Sequence, residues 1–151
     1  MGTKAIRGRA KKTPHAHHVD AQTRMDIEQF LSRTQIVLRL QDWNIVVDWG
    51  NRCEKGALAT MQDMPDSRHA IMRFSEQFFA LPARERHQTI LHELMHCHVF
   101  PLQRLSEDTV NSLASKQATT LFNIAHSSAV ELLVDTMADV LLGLIKEEHC
   151  N

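Results

Sequence analysis

The hydrophobic period of this chain changes partway along it, and that change limits what it can fold into. Trp43 to Trp49 reads WNIVVDW, with Trp43, Ile45, Val47 and Trp49 on one face and Asn44, Val46 and Asp48 on the other. A period of two with β-branched and aromatic residues predicts a strand, closed by Gly50-Asn51. A second strand is expected around Ala57 to Gln62. Met64-Pro65-Asp66-Ser67 then supplies turn chemistry, and a third strand is expected over His69 to Phe74. Connections this brief predict an antiparallel meander. In front of it, Thr23-Arg-Met-Asp26 reads as a capping box, and Ile27, Phe30, Leu31, Val37 and Leu38 continue a helical face to about Leu40.

After Pro82 the pattern is helical to the end. Pro82 suits a first helical turn, and the helix is expected from about Ala83 to His98, stopping before Pro101. A further helix should begin near Ser106, where Glu107 and Asp108 favour the N-terminal dipole. The last should run from Ser127-Ser128 to about Glu147, with Val130, Leu133, Val134, Met137, Leu141, Leu144 and Ile145 as its apolar stripe. The expected class is α+β: an N-terminal helix, a short antiparallel β-meander, then three helices. Trp43 and Trp49 read as core, and Phe78 and Phe79 as a seal before Pro82.

At 151 residues the chain is one ordinary domain, expected over 21–151 behind a basic, flexible tail at 1–20. Its 43% apolar and 23% charged residues, with 5 Gly and 4 Pro, exclude collagen-like, low-complexity and wholly disordered chains. The apolar run Val140 to Ile145 is far short of the ~18 residues of a membrane span. The first twenty residues lack the apolar middle of a secretory signal, and Ile6 stands where myristoylation wants Ser or Thr. Cys53, Cys97 and Cys150 form no CxxC pair, so neither a disulfide framework nor a cysteine zinc knuckle is expected. A soluble, cytoplasmic protein is the expectation. Net charge is −1, but residues 1–20 carry +4, which leaves −5 on the rest. Such an arm can bind nucleic acid or an acidic partner; its plain reading is a solvated terminus. His15, His17 and His18 within it can trap metal adventitiously.

The residues with the clearest chemistry are His92-Glu93-Leu94-Met95-His96. Spacing of i and i+4 puts both imidazoles on one helix face, within reach of a single ion. Glu93 is rotated about 100° from His92, too far to share that ion, and is placed instead as a general base. The uncharged frame Thr89-Ile90-Leu91 and Cys97 suits a buried helix at the floor of a cleft, with Cys97 a small apolar residue. The plain reading is two histidines at helical spacing. Candidates for a third ligand are His98, His126, Glu131, Asp135 and Asp139. His98 points to nearly the opposite side of the helix. Glu131 is followed one turn later by Asp135, which could accept the outer N–H of a ligating imidazole. Ser128-Ala-Val-Glu131 is also a capping box, which explains Glu131 with no metal at all. Both readings stand on the sequence.

HELMH with Glu131-Leu-Leu-Val-Asp135 downstream resembles the gluzincin metallopeptidases, whose pattern is HExxH followed by ExxxD on a later helix. The order of elements over about residues 24–146 is similar to the minimal zincin domains of phages and bacteria. The resemblance implies zinc on His92, His96 and Glu131, Glu93 as base, and Asp135 behind the ligands. It implies a protein or peptide substrate lying extended along the His69–Phe74 strand, and the host cytoplasm if the chain is phage-encoded. Gluzincins commonly stabilise the oxyanion with Tyr or His; the chain has no tyrosine, so His126, which otherwise caps or packs, is the expected catalytic donor and Arg73 the other candidate. His98 stands where the extended pattern has an apolar residue. Two further readings accompany the hydrolase: a catalytically silent zincin-like binding or assembly protein, and a nucleic-acid-associated protein tethered by its basic tail.

Overall fold

The computed structural model describes residues 19–51, 53–64 and 67–147. The basic segment with its histidines, the Pro65-Asp66 pair and Cys150 lie outside the described residues.

Helix α1 spans Ala21–Val37. Its cap is Asp20, whose carboxylate accepts from the Thr23 N–H at 2.9 Å, so the Thr23–Asp26 box lies inside the first turns. Arg39 adopts a left-handed φ of 55°, which ends the helix short of Leu40. Ile27, Leu31 and Thr34 are its buried face, and Phe30 stacks on His87 of a later helix at 3.8 Å.

Three strands follow: β1 (Asn44–Val47), β2 (Ala59–Met64) and β3 (His69–Phe74). The order in the sheet is β1-β3-β2, with β2 antiparallel to β3 but β1 parallel to it. The antiparallel meander is therefore corrected to a mixed sheet. The segment after β1 is not a hairpin. Asp48 accepts from the N–H groups of Gly50 and Asn51, turning the chain out of the sheet. β2 then lies on the far side of the space that β3 fills. Ala70, Met72 and Phe74 of β3 are buried at period two, as the alternation required. With neighbours on both sides, β3 has no free edge, so an extended substrate cannot add to it. The free edges belong to β1 and β2.

A short helix α2 (Glu76–Ala80), capped by Ser75, was not expected. It inserts Phe78, fully buried and stacked on Phe74 at 4.1 Å, while Phe79 packs edge-on; both seal the core. Trp43 and Trp49 pack on the core half-buried.

The helical half differs most from expectation. Helix α3 runs unbroken over Ala83–Leu113 with Pro101 inside it, and α4 over Lys116–Glu147. Two long helices replace the expected three. Pro101 forfeits one backbone hydrogen bond without ending the helix. Ser106 and Ser128, expected at helix starts, bond back to the carbonyls of Leu102 and Ile124 at 2.9 and 3.0 Å. Serine offers the backbone either a cap or this i−4 bond, and residue type alone does not choose. The turn is made at Ala114-Ser115, where Ser115 accepts from the Ala118 N–H. The buried residues of α4 are Val134, Ala138 and Leu142, with Val130 and Leu141 against the core, so Leu133, Met137 and Leu144 of the expected stripe face solvent. Among the described residues no helix is long and apolar enough to cross a membrane.

Candidate metal centre

Helix α3 is anchored by Ile90, Leu91, Leu94, Met95 and Cys97, all buried. That anchorage fixes its rotation and turns His92 and His96 toward a cleft of about 960 Å³ between α3, α4 and β2. His96 is further held by stacking on Phe100, one turn on, at 5.8 Å. Helix α4 returns antiparallel and brings Glu131 and Asp135 to the same place.

The donor atoms converge. His92 Nε2 lies 3.2 Å from His96 Nε2 and 3.4 Å from one Glu131 carboxylate oxygen; the other oxygen is 3.7 Å from His96 Nε2. A tetrahedral ion with ligand bonds of ~2.0–2.1 Å separates its donors by roughly 3.3 Å, so this triangle has the size of one face of such a site. His92, His96 and Glu131 accordingly form a group with the reach to hold a metal ion. Behind it, Asp135 Oδ1 stands 2.7 Å from His92 Nδ1. That contact places the proton on Nδ1 and leaves the Nε2 lone pair facing the other donors. Ser128 is in mid-helix, so the capping-box account of Glu131 no longer applies.

Glu93 is buried, 7% exposed, yet lines the same cleft. Burial pushes its carboxyl up from 4.5 to about 7; the His92 charge pulls down, Glu131 adds to the rise, and the Met61 backbone N–H that faces it opposes. Burial likewise lowers His96, with Glu131 opposing, and pushes the Cys97 thiol up to about 12. A pH dependence follows for the metal-free chain. The folded form keeps the Glu93 proton until about pH 7, whereas the unfolded form releases it near 4.5. Stability from this group is complete below pH 4.5 and is lost as pH rises through 7, by on the order of 3 kcal/mol. His96 runs the other way, gaining stability as pH rises toward its ordinary value. Urea unfolding in chelator at pH 5 and pH 8, compared between wild type and Glu93→Gln, isolates the first effect. The wild type is expected to lose stability relative to the variant over that interval.

The other candidates fall elsewhere. His126 does not line the cleft. It stacks on Phe122 at 5.0 Å, with a buried Nδ1 that has no hydrogen-bond partner among the described residues. Asp139 accepts from Gln88, and His98 is exposed. Arg73 does line the cleft, donating to Asp48 at 3.1 Å and to Gln62 at 2.8 Å. Sequence reasoning missed the Met61 N–H and the β2 backbone as cleft wall. Both depend on β2 being the outer strand on that side, which no local pattern encodes. Searches against protein-family models, curated proteins and solved structures return no match to this chain. The chemistry of the site rests on its geometry.

Proposed function

We propose that this chain is a zinc-dependent peptide hydrolase of gluzincin-like type. The observation that carries the reading is the joint placement of three donors at tetrahedral spacing, a carboxylate on the outer nitrogen of one of them, and a buried glutamate lining the same cleft. Two imidazole nitrogens and one carboxylate are a donor set suited to zinc, leaving a fourth position open. Zinc in such a site lowers the pKa of water toward ~7 and polarises a substrate carbonyl.

The chain's own groups do the rest. Asp135 fixes the tautomer and orientation of His92. Glu93, raised toward neutrality by its burial, takes a proton from water and delivers it to the departing amine. The outer edge of β2 borders the cleft, and an extended peptide adds to such an edge by backbone hydrogen bonds; this edge takes the role first expected of β3. With His126 away from the cleft, Arg73, which lines it while also holding Asp48 and Gln62, is the remaining candidate for the oxyanion donor.

Elemental analysis of the full chain against a His92→Ala/His96→Ala variant tests the metal reading, because the variant keeps any ion trapped by the tail histidines. The wild type is expected to hold about one more zinc per chain, and to cleave a mixed peptide pool only when that zinc is present. Equal zinc content in the two proteins would remove the basis of the proposal.

A further inference from the structure

The two long helices continue well past the body. Between Cys97 and Val134 not one residue is buried. Val99 and Phe100 still pack against the core and Arg104 still pairs with Asp63 of β2, so the free stretch of α3 begins at Leu105 and is about 14 Å of helix, with α4 returning beside it to form an arm. Its surface is unlike that of a solvated helix. Leu113 is 82% exposed, Leu121 70%, Leu132 69%, Leu102 and Leu105 64%, and Ile124 63%. From Gln117 to Val130 there is no Asp, Glu, Lys or Arg, although about a quarter of residues are charged in an ordinary chain. Thr119, Thr120, Asn123, Ser127 and Ser128 add weak helix propensity. A helix pair with no buried residue and poor propensity gains little from standing alone in water.

We infer that this arm is a self-association surface, on which a second copy of the chain packs its own arm to make an intermolecular four-helix bundle. Three observations select a second copy. The stretch 117–130 of α4 carries no Asp, Glu, Lys or Arg, so two copies joined along their α4 faces meet without like-charge repulsion; the arm's acidic pair, Glu107 and Asp108, is on α3. The exposed apolar area is about three-quarters of the apolar area that one partner of a homodimer buries. At roughly 100 Å² per large aliphatic side chain, the six residues above expose on the order of 400 Å² of apolar surface. Each partner in a standard interface buries roughly 800 Å², about 65% of it apolar in homodimers. Finally, a membrane-surface helix carries Lys and Arg along its polar face, and this stretch of α4 has only Lys116 at its start. The pairing is isologous, each arm offering and receiving the same patch. It is independent of the metal centre and of what that centre does.

Sedimentation velocity of the full chain over roughly 1–100 μM tests it. The expected result is a species of twice the 17.3 kDa chain mass that dissociates on dilution. Leu121→Glu with Ile124→Glu is expected to sediment as a monomer across the range with unchanged zinc content and helical circular dichroism. If that pair unfolds the arm, Leu105→Glu on α3 carries the same test alone. A wild type that stays at monomer mass overturns the inference, whether or not it co-floats with phosphatidylcholine vesicles. So does a folded charge variant that remains dimeric.

Discussion

Glu93→Gln is expected to abolish peptide cleavage while leaving zinc in place. Glutamine has nearly the shape of glutamate and fills the same buried position behind β2, but it cannot accept a proton from water. Loss of a positioned general base lowers turnover by about 10²–10⁴-fold. Glu93 is not among the three grouped donors, so metal content should stay at the wild-type value. Turnover of a cleaved peptide and zinc per chain, measured on the same preparation, separate the outcomes. Unchanged turnover removes Glu93 from the mechanism. A zinc-loaded wild type that binds peptides and cleaves none would instead support the catalytically silent reading.

The second large effect is expected at helix α4, where two carboxylates one turn apart should give graded losses. Glu131→Ala removes one of three donors, and zinc affinity should fall by more than the roughly 10–100-fold typical of losing an outer hydrogen-bond partner. Asp135→Asn should fall within that 10–100-fold range, because His92 keeps its nitrogen but loses the carboxylate that orients it at 2.7 Å. Both side chains are more than half exposed, so the metal-free fold should tolerate either change. Competition with a chromophoric chelator measures both affinities. Equal losses, or a greater loss at Asp135, would exchange the roles assigned here.

Much of this centre was legible in the sequence because its information is local. HELMH fixes two imidazoles by helical spacing alone, and Glu131 with Asp135 repeats the device on a second helix. β3 was legible to the residue, since its alternation is buried on one face only. What escaped depends on long-range choices. Nothing in WNIVVDW says that its partner is β3 and that it runs parallel, because one strand pattern serves either direction. Pro101, Ser106 and Ser127-Ser128 all carry the local signature of a helix boundary, and the docking of α3 on α4 overrides each of them. His126 was read as lying just before a helix; inside a continuous α4 its stack on Phe122 takes it away from the donors. The hydroxyl of Ser128 decided two readings together: once it is a mid-helix bond, Glu131 is no cap and α4 has no start there.

The parallel pairing of β1 has a consequence for the order in which the molecule assembles. β2 and β3 meet across a short turn that pairs Met64 with His69, whereas β1 reaches His69 from Asn44 with all of β2 intervening. Closure entropy grows with the length of chain enclosed, so within the sheet the β2–β3 hairpin is the early unit, nucleated by contacts near in sequence. β1 zips on afterwards and lies on the side of the sheet away from the cleft. The wall and floor of the candidate metal centre can thus come together in a molecule whose first strand has yet to dock. Local opening that releases β1 need not dismantle the centre.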